Sequence, residues 1–150
     1  MSYAAKVKEL GYELQVADLN MGKIMGAVRV GNMVYTSGQV SRFGDKQVVG
    51  KVGRDVTVEQ AYEGARLSGL SCLQAVMNAA GGLDNVVRVV KVLGMVNVAP
   101  DFNNTPAVIH GASDLFLEVF GEAGRHARSA VGMQIPGDFS VEVEVIFEVK

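Results

Sequence analysis

Hydrophobic and polar residues alternate most regularly near the end of the chain. An apolar residue occupies every second position, at Val141, Val143, Val145, Phe147 and Val149. A period of two is that of a β-strand, because successive side chains of a strand point to opposite faces of the sheet. The pattern predicts a strand over 141–149 with one apolar face, and it puts Glu142, Glu144 and Glu148 together on the other face.

A long stretch in the middle of the chain has helical periodicity instead. Apolar residues recur three and four positions apart between Thr57 and Ala80. Thr57 and Gln60 fit a capping box, in which each side chain accepts a hydrogen bond from the backbone of the other. The Gly81-Gly82 pair is a typical helix terminator, so we predict a helix over 57–80.

A second helix is predicted further along the chain. It begins at Thr105-Pro106, where we expect Thr105 to be the N-cap and Pro106 the first helical residue. An apolar stripe follows at helical spacing, and Gly121 ends it.

The remaining elements are strands. Gly31-Asn32 between two apolar arms predicts a two-residue hairpin turn within 25–37. Valine-rich segments predict strands over 86–98 and 128–134, and the weak alternation over 12–19 fits an edge strand. The resulting order, β-β-α-β-α-β-β, indicates an α+β fold with one mixed sheet and two helices on one of its faces. The other face of the sheet is then either solvated or buried in an oligomer.

Composition excludes several classes of protein. The 150 residues include 14 Lys+Arg, 16 Asp+Glu, one Cys and two His, so neither a disulfide framework nor a cysteine- or histidine-rich metal site is expected. A net charge of −2 argues against broad nucleic-acid binding. No signal peptide or membrane span is apparent, and we expect a cytoplasmic protein without metal.

Three potentially cationic residues lie within four positions at the start of the strand predicted over 128–134: Arg125, His126 and Arg128. In an extended chain His126 and Arg128 share one side and Arg125 takes the other. A guanidinium recognises carboxylates by paired hydrogen bonds. Arg128 is therefore either a clamp for a small acid or a salt-bridge partner of the glutamate-rich last strand, and ion pairs are the commoner outcome.

Other single residues are weaker candidates for a functional role. Cys72 lies near the apolar stripe of the first helix and is expected in the core. His110 is expected to have a structural role or to lie on the surface. The segment Tyr35–Gln39 fits either a turn or a set of backbone and hydroxyl donors for a ligand.

Five segments together resemble a known family, the reactive-intermediate deaminases (Rid or YjgF-like, also labelled endoribonuclease L-PSP). They are Val34-Tyr35-Thr36-Ser37-Gly38-Gln39, the run 83–91, Asp101-Phe102, Ala127-Arg128-Ser129-Ala130-Val131 and Val141-Glu142-Val143-Glu144. The resemblance covers about residues 22–150. Segments 53–57, 111–113 and 120–132 are similar in sequence to those of one branch of the family, which is described as chorismate-mutase-like.

The resemblance implies a single domain over 1–150 with a chorismate-mutase-like fold, assembled as a homotrimer with small-carboxylate clefts between subunits. In deaminating members, the residue matching Arg128 clamps the carboxylate of a 2-imino or 2-enamino acid. The residue matching Glu142 positions the attacking water, and ammonia and a 2-keto acid are released without a cofactor. We accordingly assign catalysis to Arg128 and Glu142, and ligand contacts to Arg128, Ser37, Gly38 and His126. Glu144 shares the face of Glu142, so it is the alternative carboxylate.

The chain departs from the deaminating pattern at three places. Ile24 stands where those members have a tyrosine, His126 where they have a proline, and His110 or Gly111 where they have an asparagine. A non-catalytic trimer that binds a small acid through Arg128 is therefore the alternative function. The family's ribonuclease or translation-inhibitor label is a third hypothesis, and the net charge and the absence of a basic, aromatic-rich stripe count against it.

Overall fold

A mixed six-stranded sheet and two long helices form the body of the protein. The computed structural model describes all residues from Met1 to Lys150. In chain order its elements are α1 (Tyr3–Glu9), β1 (Ala27–Val30), β2 (Met33–Thr36), β3 (Gln39–Val40), β4 (Arg42–Phe43), β5 (Lys46–Gln47), α2 (Val58–Ala80), β6 (Val86–Asn97), α3 (Thr105–Phe120), β7 (Ala127–Met133) and β8 (Val141–Val149).

The main sheet has the order β1-β2-β8-β6-β7, and β3 pairs with β8 beyond the end of β2. The β6–β7 pair is parallel, because α3 crosses over between them, and the other pairs are antiparallel. β4 and β5 form a separate small hairpin. The predicted α+β class with one mixed sheet is confirmed.

Both long helices pack on the same face of the sheet. The apolar side of β8 meets α2 and α3 there, and Phe147 contacts the rings of Phe116 and Phe120 edge-on. The capping box is present: Thr57 Oγ1 accepts from the Gln60 amide at 3.1 Å, and Gln60 Oε1 accepts from the Thr57 amide at 2.9 Å. Cys72 is fully buried in this core, as predicted.

The opposite face of the sheet, called here the open face, has no covering layer within the chain. Its strands alternate as the sequence predicts, so Glu142 and Glu144 lie on it. Several large apolar side chains are also exposed there: Val28, Val30, Tyr35, Val131 and Met133. None of the helices combines the length and apolarity needed to cross a membrane.

Two local predictions are wrong, and one short helix was not predicted. Residues 12–19 form no strand, because their backbone amides bond to side chains of α2, with Gln15 N at 2.8 Å from Gln74 Oε1. Helix α1, which has seven residues and is capped by Ser2, was not predicted. Thr105 is the first residue of α3 and not its N-cap, which is Asn104; the Thr105 hydroxyl donates instead to the Ala130 carbonyl at 2.9 Å.

Candidate functional site

Arg128 lies near the start of β7, one of the two edge strands of the sheet. Its register partner on β6 is Val92, whose side chain is buried under the helices, so Arg128 also points toward the helix side. There its guanidinium reaches α3, with Nη1 at 3.0 Å from His110 Nδ1 and at 3.1 Å from Ser113 Oγ. His110 and Ser113 are three residues apart and therefore lie on one face of α3.

Two glycines allow this arrangement of backbones. A Cβ at Gly111 would overlap the carbonyl oxygen of Tyr62, so this glycine lets α3 pack closely on α2. A Cβ at Gly124 would overlap the carbonyl oxygen of Phe116, so the segment leading into β7 also lies directly against α3. The close approach brings the side chains of Ser113 and Arg128 within hydrogen-bonding distance.

His126 is part of the same cluster. Its Nε2 lies 2.9 Å from Ser113 Oγ, its Nδ1 lies 2.6 Å from the Gly124 carbonyl oxygen, and its ring packs edge-on against Phe116. His126 and Arg128 share one side, as the alternation predicts, and both ring nitrogens of His126 are occupied by partners within the chain. Arg125 is exposed and pairs with Glu122 at 3.2 Å.

Arg128 has no carboxylate partner. The salt bridge to the glutamate-rich strand is not formed, because β6 separates β7 from β8 and the glutamates point to the opposite face. Burial lowers the pKa of Arg128 from its ordinary value, and the charge of Asp114 only partly opposes that effect. The guanidinium is thus partly desolvated and its charge is not neutralised by an acidic side chain.

Glu142 lies on the open face of β8, opposite Met95 of β6 and Val40 of β3. Its carboxylate sits over Gly38, where any Cβ would overlap Oε2. Burial raises the pKa of Glu142, and the neighbouring charge of Glu144 raises it further. Glu142 is half-buried whereas Glu144 is exposed, so burial distinguishes the two carboxylates that the sequence leaves equivalent.

Ser37 and Gly38 connect β2 to β3. The Ser37 hydroxyl donates to the carbonyl oxygen of Met25 at 2.6 Å, so it fastens the segment before β1. Gly38 is the residue of this pair that adjoins a candidate catalytic group. Ile24 is 55 % exposed and lies in the same preceding segment.

The chain brings some of the assigned residues together and separates others. Arg128 and His126 form one cluster, while Glu142 and Gly38 form a second cluster on the other side of the sheet. Sequence reasoning missed Ser113 and the part played by His110; their three-residue spacing on a helix was the available signal. A groove of about 670 Å³ lies elsewhere, between the β4–β5 hairpin and Tyr12, Glu63 and Arg66.

Comparison with known proteins agrees with the fold. TCP17 of Trypanosoma cruzi is 38% identical over 97% of this chain and 92% of its own. Atu1372 of Agrobacterium tumefaciens is 40% identical, with a TM-score of 0.91 over 99% of this chain and 92% of its own. Escherichia coli TdcF, solved with bound serine, is 26% identical, with a TM-score of 0.62 over 92% of this chain and 96% of its own.

A family model also matches most of the chain. It covers residues 5–140 and is described as "YjgF/chorismate mutase-like, putative endoribonuclease". The matched region includes both clusters except Glu142. The chain belongs to the YjgF/chorismate mutase-like family.

Proposed function

We propose that the protein binds a small carboxylate at Arg128 and hydrolyses reactive 2-imino or 2-enamino acids to 2-keto acids and ammonia. The observation that carries the proposal is the state of Arg128: a partly buried guanidinium, fixed in place, with no acidic side chain to neutralise it. A carboxylate is the ligand that such a group binds best, because two parallel charge-assisted hydrogen bonds fit its geometry. The serine bound to TdcF is a small amino acid with such a carboxylate, which supports this ligand class.

The proposed site lies between copies of the chain, in a homotrimer. Arg128 and Glu142 point to opposite sides of the sheet and are two strands apart, so one chain cannot bring both to the same small ligand. The open face carries exposed apolar side chains that a neighbouring copy would cover. In this arrangement Arg128 of one copy and Glu142 of the next form the two walls of a cleft.

The reaction follows from the two groups. Arg128 holds the substrate carboxylate, which fixes the adjacent imine carbon relative to Glu142. Water attacks that carbon, and Glu142 takes a proton from the water and passes it to the imine nitrogen, which gives a tetrahedral aminoalcohol. Glu142 then takes the hydroxyl proton and passes it to the amine, so that the C–N bond breaks as the C=O bond forms, and ammonia and a 2-keto acid are released. The raised pKa of Glu142 suits this role, because proton transfer is most efficient when the pKa is near the working pH.

A non-catalytic binding module is the second candidate. The exposed Ile24 favours it, because a tyrosine at that place in deaminating relatives would supply a hydroxyl that isoleucine lacks. Carboxylate binding at Arg128 is common to both candidates. Only turnover distinguishes them.

A coupled deamination assay tests the proposal. An amino-acid oxidase generates 2-imino acids in situ, and semicarbazide captures those that remain. We expect the wild type to speed imine loss and Arg128→Ala to reduce this effect at least about tenfold, since a charge-assisted pair contributes roughly 1.5–3 kcal/mol.

Arg125→Ala is the matched control, because it removes an exposed arginine three residues away that pairs with Glu122. It should behave as the wild type. No acceleration by an assembled wild type with any imino acid would refute deamination and leave the binding module. Equal losses in both arginine variants would refute the clamp.

A further inference from the structure

We infer that His126, Ser113 and His110 act as positioning residues, which hold Arg128 through uncharged acceptors so that its Nε and Nη2 remain free for a side-on carboxylate. The inference rests on the proposed function, since it describes how the clamp is prepared. It adds His110 and Ser113 to the site and gives His126, which the sequence assigned to ligand contact, a positioning role instead.

The direction of every hydrogen bond in this cluster is fixed from both ends. A guanidinium only donates, so His110 Nδ1 and Ser113 Oγ both accept from Arg128 Nη1. At the other end a carbonyl oxygen only accepts, so His126 Nδ1 carries a proton and donates it to Gly124.

Ser113 links the two ends of this hydrogen-bond network. With one lone pair accepting from Arg128, its own proton is free to point at His126 Nε2, 2.9 Å away. The Nε2 atom can accept that proton only if the His126 ring is neutral. Burial has the largest effect and lowers the pKa of His126, which favours the neutral ring; the hydrogen bond to the Gly124 carbonyl opposes this, and the charge of Arg128 adds to it. Each hydrogen bond from Arg128 to Gly124 then joins one donor to one acceptor, with the His126 ring neutral.

The same bonds determine which face of Arg128 is free. Nη1 has two hydrogens, and His110 and Ser113 take both. Nε–H and the two hydrogens of Nη2 have no partner in the chain. Nε–H and the nearer Nη2–H are parallel, and they form one of the two geometries in which a guanidinium binds a carboxylate with two bonds.

Arg66 shows what a structural arginine looks like in this protein. Its Nη1 and Nη2 are both bonded to the Glu118 carboxylate, the shorter bond being 2.6 Å, and its Nε donates to Tyr12. These partners raise the pKa of Arg66, whereas burial lowers that of Arg128. Arg66 is held and neutralised, but Arg128 is held without being neutralised.

The hydroxyl of Ser113 is not placed to act as a nucleophile, although its bond to His126 resembles a serine–histidine dyad. The residue is only 9% exposed, and one lone pair of its oxygen already accepts from Arg128. Both features fit a bridge between His126 and Arg128. The oxygen is engaged by Arg128 on one side and by His126 on the other.

The test compares two substitutions of His126. His126→Phe keeps a ring beside Phe116 but removes the acceptor, while His126→Gln can offer an oxygen near the position of Nε2. Two readouts are used: calorimetric affinity for pyruvate, and the ¹⁵N signals of the Arg128 guanidinium without ligand. Slow rotation of a held guanidinium gives separate Nη signals.

We expect His126→Phe to weaken pyruvate binding about tenfold and to average the Nη signals, because loss of one acceptor frees the bridge. We expect His126→Gln to recover most of both. Ser113→Ala should resemble His126→Phe and serves if the latter does not fold. None of the variants should change labelling by a fluorophosphonate, which would mark a nucleophilic serine.

The outcomes separate the inference from the proposed function. Wild-type affinity and unchanged Nη signals in both His126→Phe and Ser113→Ala would overturn the inference and leave the clamp intact. Averaged Nη signals in the variants together with no pyruvate binding by the wild type would support the positioning and overturn the proposed function. Labelling of Ser113 in the wild type would overturn the positioning assignment in favour of a nucleophile.

Discussion

At the scale of single residues, the distinguishing feature is two partly buried charged groups, Arg128 and Glu142, that form no salt bridge. Burial lowers the pKa of Arg128 and raises the pKa of Glu142, so each environment disfavours the charged form. Such groups reduce stability unless something else compensates them. A ligand carboxylate would do so for Arg128, and a proton in transit would do so for Glu142.

Glu142 should therefore make stability depend on pH. A carboxyl whose folded pKa is raised binds more protons in the folded than in the unfolded state, so its charge costs stability as pH rises through and above its ordinary pKa of 4.5. We expect Glu142→Gln to be more stable than the wild type at pH 7, with the difference shrinking toward pH 4. Urea denaturation at fixed protein concentration across this range measures it.

Glu148→Gln is the control, because it removes one charge from the same face of the same strand. The activity proposed for Glu142 should be lost in Glu142→Gln even though the fold gains stability. A Glu142→Gln variant that is less stable than the wild type at pH 7 and equally so at pH 4 would contradict the assignment.

At the scale of elements, local signals predicted what local interactions determine. The hairpin around Gly31-Asn32, the capped helix α2 and the alternating strand β8 were predicted correctly because their patterns lie within each segment. Thr105 was misassigned because its hydroxyl bonds to Ala130, a residue distant in sequence. The Ser113–His126 bond is also tertiary, so composition and periodicity could not reveal it.

The capping box of α2 gives a test at this scale. The helix packs against the strands of the sheet and against α3, the helix that bears His110 and Ser113. Thr57→Ala removes the acceptor for the Gln60 amide, and we expect it to lower the free energy of unfolding by about 1 kcal/mol. Thr57→Ser retains the hydroxyl and should lose only a fraction of that. Equal losses in the two variants, measured by urea denaturation, would show that the methyl group and not the cap is responsible.

At the scale of the whole molecule, the sheet divides the candidate site. From the sequence alone, Arg128 and Glu142 could have been neighbours, because strand order cannot be read from the pattern of residues. In the structure β6 lies between their strands. The structure puts them on opposite sides, with Glu142 beside the exposed apolar residues of the open face. A cleft that uses both groups therefore requires a second copy, and the same contact would bury the open face.

Two residues with equal exposure test the assembly. Val131 on the open face and Leu117 on the outer side of α3 are each 41% exposed. We expect light scattering to report about 48 kDa for the wild type, three chains of 15.9 kDa. Val131→Lys should give a smaller species and lose imine hydrolysis, because a charge buried in the interface without a partner is costly. Leu117→Lys should remain trimeric and active, because its side chain stays in solvent. A wild type that is monomeric, or a Val131→Lys variant that keeps its size and activity, would mean that Arg128 and Glu142 do not share a ligand across copies.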